Sequence, residues 1–279
     1  MKNRIGFMQG RLSPPVDGKI QAFPAYCWQA EFQTANHHGF SLLEWTLDQE
    51  GLYQNPLLTA AGQAEIRELC LAHGIAIPSL TGDCFMQSPF WKAQGPAREA
   101  LLQDFRAVAS ACSAVGVLMM VVPLVDNGRI ENREQEDLLA DMLQKESAFL
   151  AAQNVKVVFE SDFGPTELAR FMARLDPARF GVNYDIGNSA SLGMDPVAEI
   201  SAYGERILNV HIKDRVLGGT TVPLGTGNAQ FEKVFAALAR SAYQGTYILQ
   251  TARASDGNHA EVLCRYRDMA VDWIKRHGA

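Results

Sequence analysis

Eight short apolar runs alternate with helix-patterned stretches along the 279-residue chain. That alternation is its tightest constraint. Strand, helix and strand in repetition bury their apolar faces best as a parallel sheet with helical cover. The runs are Arg4–Met8, Ser41–Trp45, Ile75–Leu80, Val117–Pro123, Val155–Glu160, Phe180–Asp185, Ile207–His211 and Thr246–Gln250. Between them the 3.6-residue period predicts helices over Gln29–His38, Thr59–His73, Pro96–Val115, Gln135–Gln153, Pro165–Leu175, Pro196–Tyr203, Phe231–Ser241 and Ala260–Lys275. Gly39, Gly74 and Gly116 fall where helices stop. One (β/α)₈ barrel takes about 250 residues. No linker-like or low-complexity run divides the chain, so the expectation is a single α/β TIM-barrel domain over residues 1–279.

Four successive runs finish on a side chain with a lone pair to donate: Glu160, Asp185, His211 and Gln250. The C-terminal ends of parallel barrel strands open onto one mouth, so these four are expected to converge there. A mixed oxygen and nitrogen set suits a divalent ion: Mn²⁺, Mg²⁺ or Zn²⁺. Gln250 shares a strand face with Ile248 and is opposite Leu249, so its amide oxygen is expected as a weak fourth ligand. Such an ion, bridging a carbonyl and an adjacent hydroxyl, stabilises an enediolate while a carboxylate takes the proton. Glu160 is the expected base, with Lys213 its catalytic neighbour. Glu44 and Asp83 either return the proton or are ordinary polar residues at strand ends.

The loops after the strands supply expected substrate contacts: Gln9, Arg11, Glu44, Asp83, Asn188, Arg215 and Arg253. Loop arginines grip carboxylates or phosphates through a forked donor set, though a single arginine is more often a structural ion pair. The Gly225–Gly227 run reads either as a nest of backbone N–H groups for an oxyanion or as a tight turn. Phe85, Met86, Phe90 and Trp91 read as a lid over the mouth or as a contact between copies of the chain. Trp28 is a sugar-stacking wall or core, and Trp45 is core.

A net charge of −6 argues against a sequence-independent nucleic-acid or anionic-membrane partner. Several basic groups at strand-end loops favour a small anionic or polyhydroxylated partner. Cys27, Cys70, Cys84, Cys112 and Cys264 are scattered and odd in number, which predicts reduced thiols in the core of a cytoplasmic protein. The opening MKNRIGFMQGRLS is not expected to be a leader, and no run of about 18 apolar residues suggests a membrane span.

The segments YDIGNSASLG (Tyr184–Gly193), HIKDR (His211–Arg215) and PLGTGNAQF (Pro223–Phe231), in this order at successive strand ends, resemble the xylose-isomerase-like TIM barrels, and in particular their ketose 3-epimerase branch. The resemblance spans nearly the whole chain. It implies a metal-dependent sugar or sugar-phosphate isomerase or epimerase, with the metal on a Glu, an Asp, a His and a second Glu, the two glutamates also serving as acid and base. Gln250 stands where those epimerases have the second Glu, and Asn188 where they have a His after the strand-six Asp. An amide cannot take a proton near neutral pH, so Glu160 is left as the single base of that pair. A dehydratase acting on a polyol or keto acid, or a sugar-binding barrel without catalysis, are the alternatives. The other histidines lie in helical or terminal segments, away from the pattern of the repair endonucleases in the same group.

Overall fold

The computed structural model describes residues 4–278. Eight parallel strands close into a barrel: β1 (Ile5–Met8), β2 (Leu42–Leu47), β3 (Ala76–Gly82), β4 (Met119–Leu124), β5 (Lys156–Ser161), β6 (Phe180–Asp185), β7 (Ile207–Ile212) and, last in sequence, β10 (Thr246–Leu249). Each pairs with its sequence neighbour, and β10 closes the ring by pairing with β1 and β7. Two short strands, β8 (Asp214–Arg215) and β9 (Thr221–Val222), form a separate antiparallel hairpin beyond β7.

The helices lie close to their predicted bounds: α1 (Trp28–His37), α2 (Ala60–His73), α4 (Gly95–Val115), α5 (Arg133–Gln153), α6 (Pro165–Ala173), α8 (Pro196–Tyr203), α9 (Phe231–Arg240) and α10 (His259–His277). Two short helices, α3 (Asp83–Gln87) and α7 (Ile186–Leu192), follow β3 and β6 directly, where the sequence suggested loops. Their brevity hides them, because one or two turns carry too few residues to show a period.

The strands alternate between two environments. Leu43, Trp45, Leu80, Phe159, Tyr184, Val210, Tyr247 and Leu249 point outward into the apolar layer shared with the helices. The inward residues are largely polar: Glu44 and Thr46 on β2, Ser79 and Thr81 on β3, Asn183 and Asp185 on β6, Asn209 and His211 on β7. Hydrogen bonds reach across the barrel from β7 to Glu44, so this interior is a bonded polar layer.

Phe85, Phe90 and Trp91 are neither lid nor exposed contact. All three are buried, with Phe85 and Phe90 each 5.6 Å from Phe105 of α4, and Trp91 donates to the Gly128 carbonyl at 3.1 Å. Met86, the fourth residue of the segment, is half-buried and lines the cavity at the barrel mouth. Trp28 is also core, packed edge-on against Trp45 at 5.4 Å. All five cysteines are free thiols; Cys84 and Cys112 are buried, whereas Cys27, Cys70 and Cys264 are only half-buried. No helix among the described residues is long and apolar enough to cross a membrane.

Candidate functional site

β5, β6 and β7 are neighbours in the barrel and deliver Glu160, Asp185 and His211 to one point. One ligand atom of each lies within 4.8 Å of the others, and all three side chains are buried. The His211 Nδ1 is 3.2 Å from Glu160 Oε2 and 3.9 Å from Asp185 Oδ2. The donor set, two carboxylates and an imidazole in a tight triangle, fits a divalent ion. These three are the residues that could hold one.

The triangle rests on the polar layer beneath it. His211 Nε2 is 2.7 Å from Glu44 Oε1. Glu44 also accepts from Ser79 Oγ at 2.6 Å, Thr81 Oγ1 at 2.5 Å and Asn209 Nδ2 at 3.0 Å. Burial alone would raise the Glu44 carboxyl; the charge and hydrogen bond of His211, with Ser79 and Thr81, outweigh it and hold it below its ordinary range. Glu44 therefore fixes the ring with Nε2–H pointing down and Nδ1 pointing into the triangle, as a carboxylate behind a metal-binding histidine does. Burial also works against a charged His211, but Glu44 and Glu160 lift its pKa to about 10.

Glu160 accepts from Asn188 Nδ2 at 2.5 Å and Asn183 Nδ2 at 3.1 Å. Asn188 is in turn held by Arg215, whose Nη1 donates to its Oδ1 at 2.7 Å while Nε and Nη2 reach the Gly219 carbonyl. Asp185 caps α7, accepting from the Asn188 N–H at 2.8 Å through Oδ1, and its Oδ2 accepts from Lys213 Nζ at 3.0 Å. Gly187 leaves room for that lysine: a Cβ there would sit 2.6 Å from Lys213 Cγ.

Lys213 Nζ also donates to Gln250 Oε1 at 3.2 Å. Gln250 Nε2 donates to Gln21 Oε1 at 2.9 Å, and Gln21 Nε2 donates to Asp83 Oδ2 at 2.5 Å. These groups, with Thr81, Glu160, Asn188 and Arg215, line a cavity of about 240 Å³ at the barrel mouth. Burial pushes the Asp83 carboxyl up to about 7 against the Gln21 hydrogen bond, with Asp48 and Glu160 adding to the rise. A larger hollow of about 690 Å³ lies at the other end of the barrel, between α8 and α9, and its lining includes only one carboxyl, that of Glu205. The smaller cavity is the one that brings Asp83, Glu160 and Lys213 together.

Residues 32–270 match the family described as xylose isomerase-like TIM barrel. The chain belongs to that family. Its curated relatives include the L-ribulose-5-phosphate 3-epimerase UlaE of Shigella flexneri serotype 5b (strain 8401) and that of Escherichia coli (strain K12). Each is 24% identical over 269 residues, covering 91% of this chain and 92% of the relative. Among solved structures, the IOLI protein with a bound zinc atom superposes with a TM-score of 0.76 at 16% identity, covering 98% of this chain and 99% of that one. The D-psicose 3-epimerase of Clostridium cellulolyticum H10, solved with D-tagatose, gives 0.72 at 13% identity, covering 98% and 99%. These likenesses show the same barrel.

Within this barrel the expected site residues divide. Glu160, Asp185, Lys213, His211, Gln250, Asn188, Asp83 and Arg215 gather at the mouth. Gln250 meets the triangle only through Lys213, which holds the oxygen expected to ligate. Glu44, expected as a substrate contact or proton partner, is wholly buried under His211 with all its bonds to protein groups. Gln9 is also wholly buried, and its Oε1 accepts from the Thr46 N–H at 3.1 Å. Arg11 is 3% exposed and its guanidinium is occupied by the Thr251 and Ile20 carbonyls. Arg253 holds the Ser13 carbonyl at 2.7 Å. Both arginines thus brace the loop after β1 instead of facing the cavity.

The glycine run at Gly225–Gly227 is a nest already filled. Its two glycine N–H groups each donate to Asp214 Oδ2 at 2.9 Å, and Ala229 N–H donates to Oδ1 at 3.0 Å. A Cβ at Gly227 would collide with that carboxylate. Sequence reading missed Asn183 and Asn209, although each lies two residues before a site residue and so on the same strand face. It also missed Gln21, which sits in a loop with no period to reveal it.

Proposed function

We propose that the protein is a metal-dependent epimerase or isomerase of sugars or sugar phosphates, with ketopentose 5-phosphates as the first class to test. The observation that carries this reading is the triangle of Glu160, Asp185 and His211 opening into the cavity that Lys213 and Asp83 share. The names of the L-ribulose-5-phosphate 3-epimerase relatives support the substrate class.

Glu160, Asp185 and His211 are the proposed ligands of a divalent ion; Gln250 is linked to them through Lys213, which donates both to Asp185 Oδ2 and to Gln250 Oε1. When bound, the ion supplies a Lewis acid that polarises the substrate carbonyl and lowers the energy of the enediolate. Glu160 is the proposed base. Asn188 and Asn183 hold its two oxygens, so its direction is fixed before substrate arrives. Lys213 brings a positive charge beside the developing oxyanion. Arg215 keeps Asn188 turned toward Glu160.

Incubation with L-ribulose 5-phosphate and related ketose phosphates in D₂O, followed by proton NMR, tests the reading. Deuterium at C3 together with the C3 epimer supports it, and unchanged substrate in the presence of Mn²⁺ refutes it. Gln250 in place of a second carboxylate favours one other reading, a dehydratase working with a single base; loss of water in the same spectra would identify it.

A further inference from the structure

Epimerisation inverts one carbon, so one group must take a proton from one face and another must give a proton to the opposite face. Resting on the epimerase reading, Glu160 fills the first role and position 250 cannot fill the second, because its amide has no proton to exchange near neutral pH. The cavity lining contains two further carboxyls, Asp126 and Asp83. Asp126 is exposed at the rim, beside the Arg129–Asp162 ion pair. Asp83 is 9% exposed, makes no ion pair among the described residues, and has one side-chain partner, Gln21 on Oδ2. A buried aspartate normally has a cation or several donors around it. This one keeps Oδ1 without a hydrogen-bond partner on the wall of the cavity that Glu160 also lines.

The amide at 250 is matched to this arrangement. Lys213 donates to Gln250, Gln250 donates to Gln21, and Gln21 donates to Asp83. A glutamate at 250 would have no N–H to give Gln21, and the chain of donors ending on Asp83 would break. β3 and β5 have β4 between them in the ring, so Asp83 and Glu160 reach the cavity from separate strands.

We propose that Asp83 is the second catalytic acid–base, taking the role that position 250 lacks, and that Gln21 is the residue that positions it. In the forward direction Glu160 carboxylate takes the proton from the carbon beside the carbonyl. The C–H electron pair becomes the C=C bond, and the carbonyl π pair moves onto oxygen. The carbonyl then re-forms as Asp83 carboxylic acid gives its proton to the other face of the same carbon. Glu160 ends protonated and Asp83 ionised, and exchange with water resets both.

The test uses the full chain loaded with Mn²⁺, with L-ribulose 5-phosphate and its C3 epimer each supplied in D₂O. Wild type should invert and exchange from either side. Asp83→Asn keeps an oxygen for Gln21, so the fold and cavity are retained. It should lose inversion by about 10²- to 10⁴-fold, while one of the two epimers still exchanges its C3 proton through Glu160. Asp83→Glu should recover part of the inversion, and Gln21→Ala should lower kcat more than it changes KM. If Asp83→Asn inverts as wild type does, or loses exchange of both epimers in the same proportion as inversion, the assignment of Asp83 is overturned while the epimerase reading stands. If wild type neither exchanges nor inverts, both fall together.

Discussion

Asp83 makes a prediction that needs no substrate. The group is buried and bound by one neutral amide, so its carboxyl is pushed up to about 7 from an ordinary 3.8. A raised carboxyl is more basic in the folded chain than in the unfolded one. Its contribution to stability therefore falls as pH rises from about 4 to about 7, and then stays level. At 1.36 kcal/mol per pH unit, keeping Asp83 ionised above pH 7 costs the folded state about 4 kcal/mol. Asp83→Asn removes the charge and keeps the hydrogen bond from Gln21. Urea unfolding in the presence of a chelator should find the variant nearly equal to wild type at pH 4 and more stable by about 4 kcal/mol at pH 8. Stability gained by removing a group from a functional cavity is the usual sign that it is kept for activity. A variant no more stable than wild type at pH 8 would mean instead that Asp83 is well solvated or paired.

Glu44→Gln should weaken Mn²⁺ binding by about 10- to 100-fold in calorimetry, since the charge behind His211 is lost; unchanged affinity would mean that the ring is held by packing alone. Asp214→Ala removes the acceptor of three backbone N–H groups at 225–229 and should cost about 2–4 kcal/mol in urea unfolding, a loss that an exposed turn would not show. Trp91→Ala should cost about 3–5 kcal/mol with little change in KM, whereas a lid residue would show the reverse.

The barrel was legible because its strands and long helices carry clear periods. The positions of Glu160, Asp185, His211 and Gln250 follow from the same logic, as the last inward residues of β5, β6, β7 and the run leading from β10. Period two also carries further back than was used: Asn183 and Asn209 share their faces with Asp185 and His211, and Glu44 shares the inward face of β2 with Thr46. What the sequence withheld is depth. Glu44 and Gln9 look like mouth residues by their place at strand ends, yet both are wholly buried, Glu44 against His211 and Gln9 against the Thr46 N–H. Arg11 and Arg253 are spent on backbone carbonyls of the loop after β1, a use that composition cannot distinguish from gripping a phosphate. The nest at Gly225–Gly227 was legible as a nest but not as one filled by Asp214. Gln21 reaches the site through the fold of an irregular loop, and no local pattern marks it.

Glu160, Asp185 and His211 are proposed to hold a divalent ion together at the floor of the cavity. Crystals of the full chain grown with millimolar Mn²⁺, measured at a wavelength where manganese scatters anomalously, test it most directly. The expected result is a single strong anomalous peak among the two carboxylates and His211 Nδ1, with the Glu44 hydrogen bond to Nε2 kept. A site without such a peak, or a peak placed elsewhere on the barrel, would contradict it.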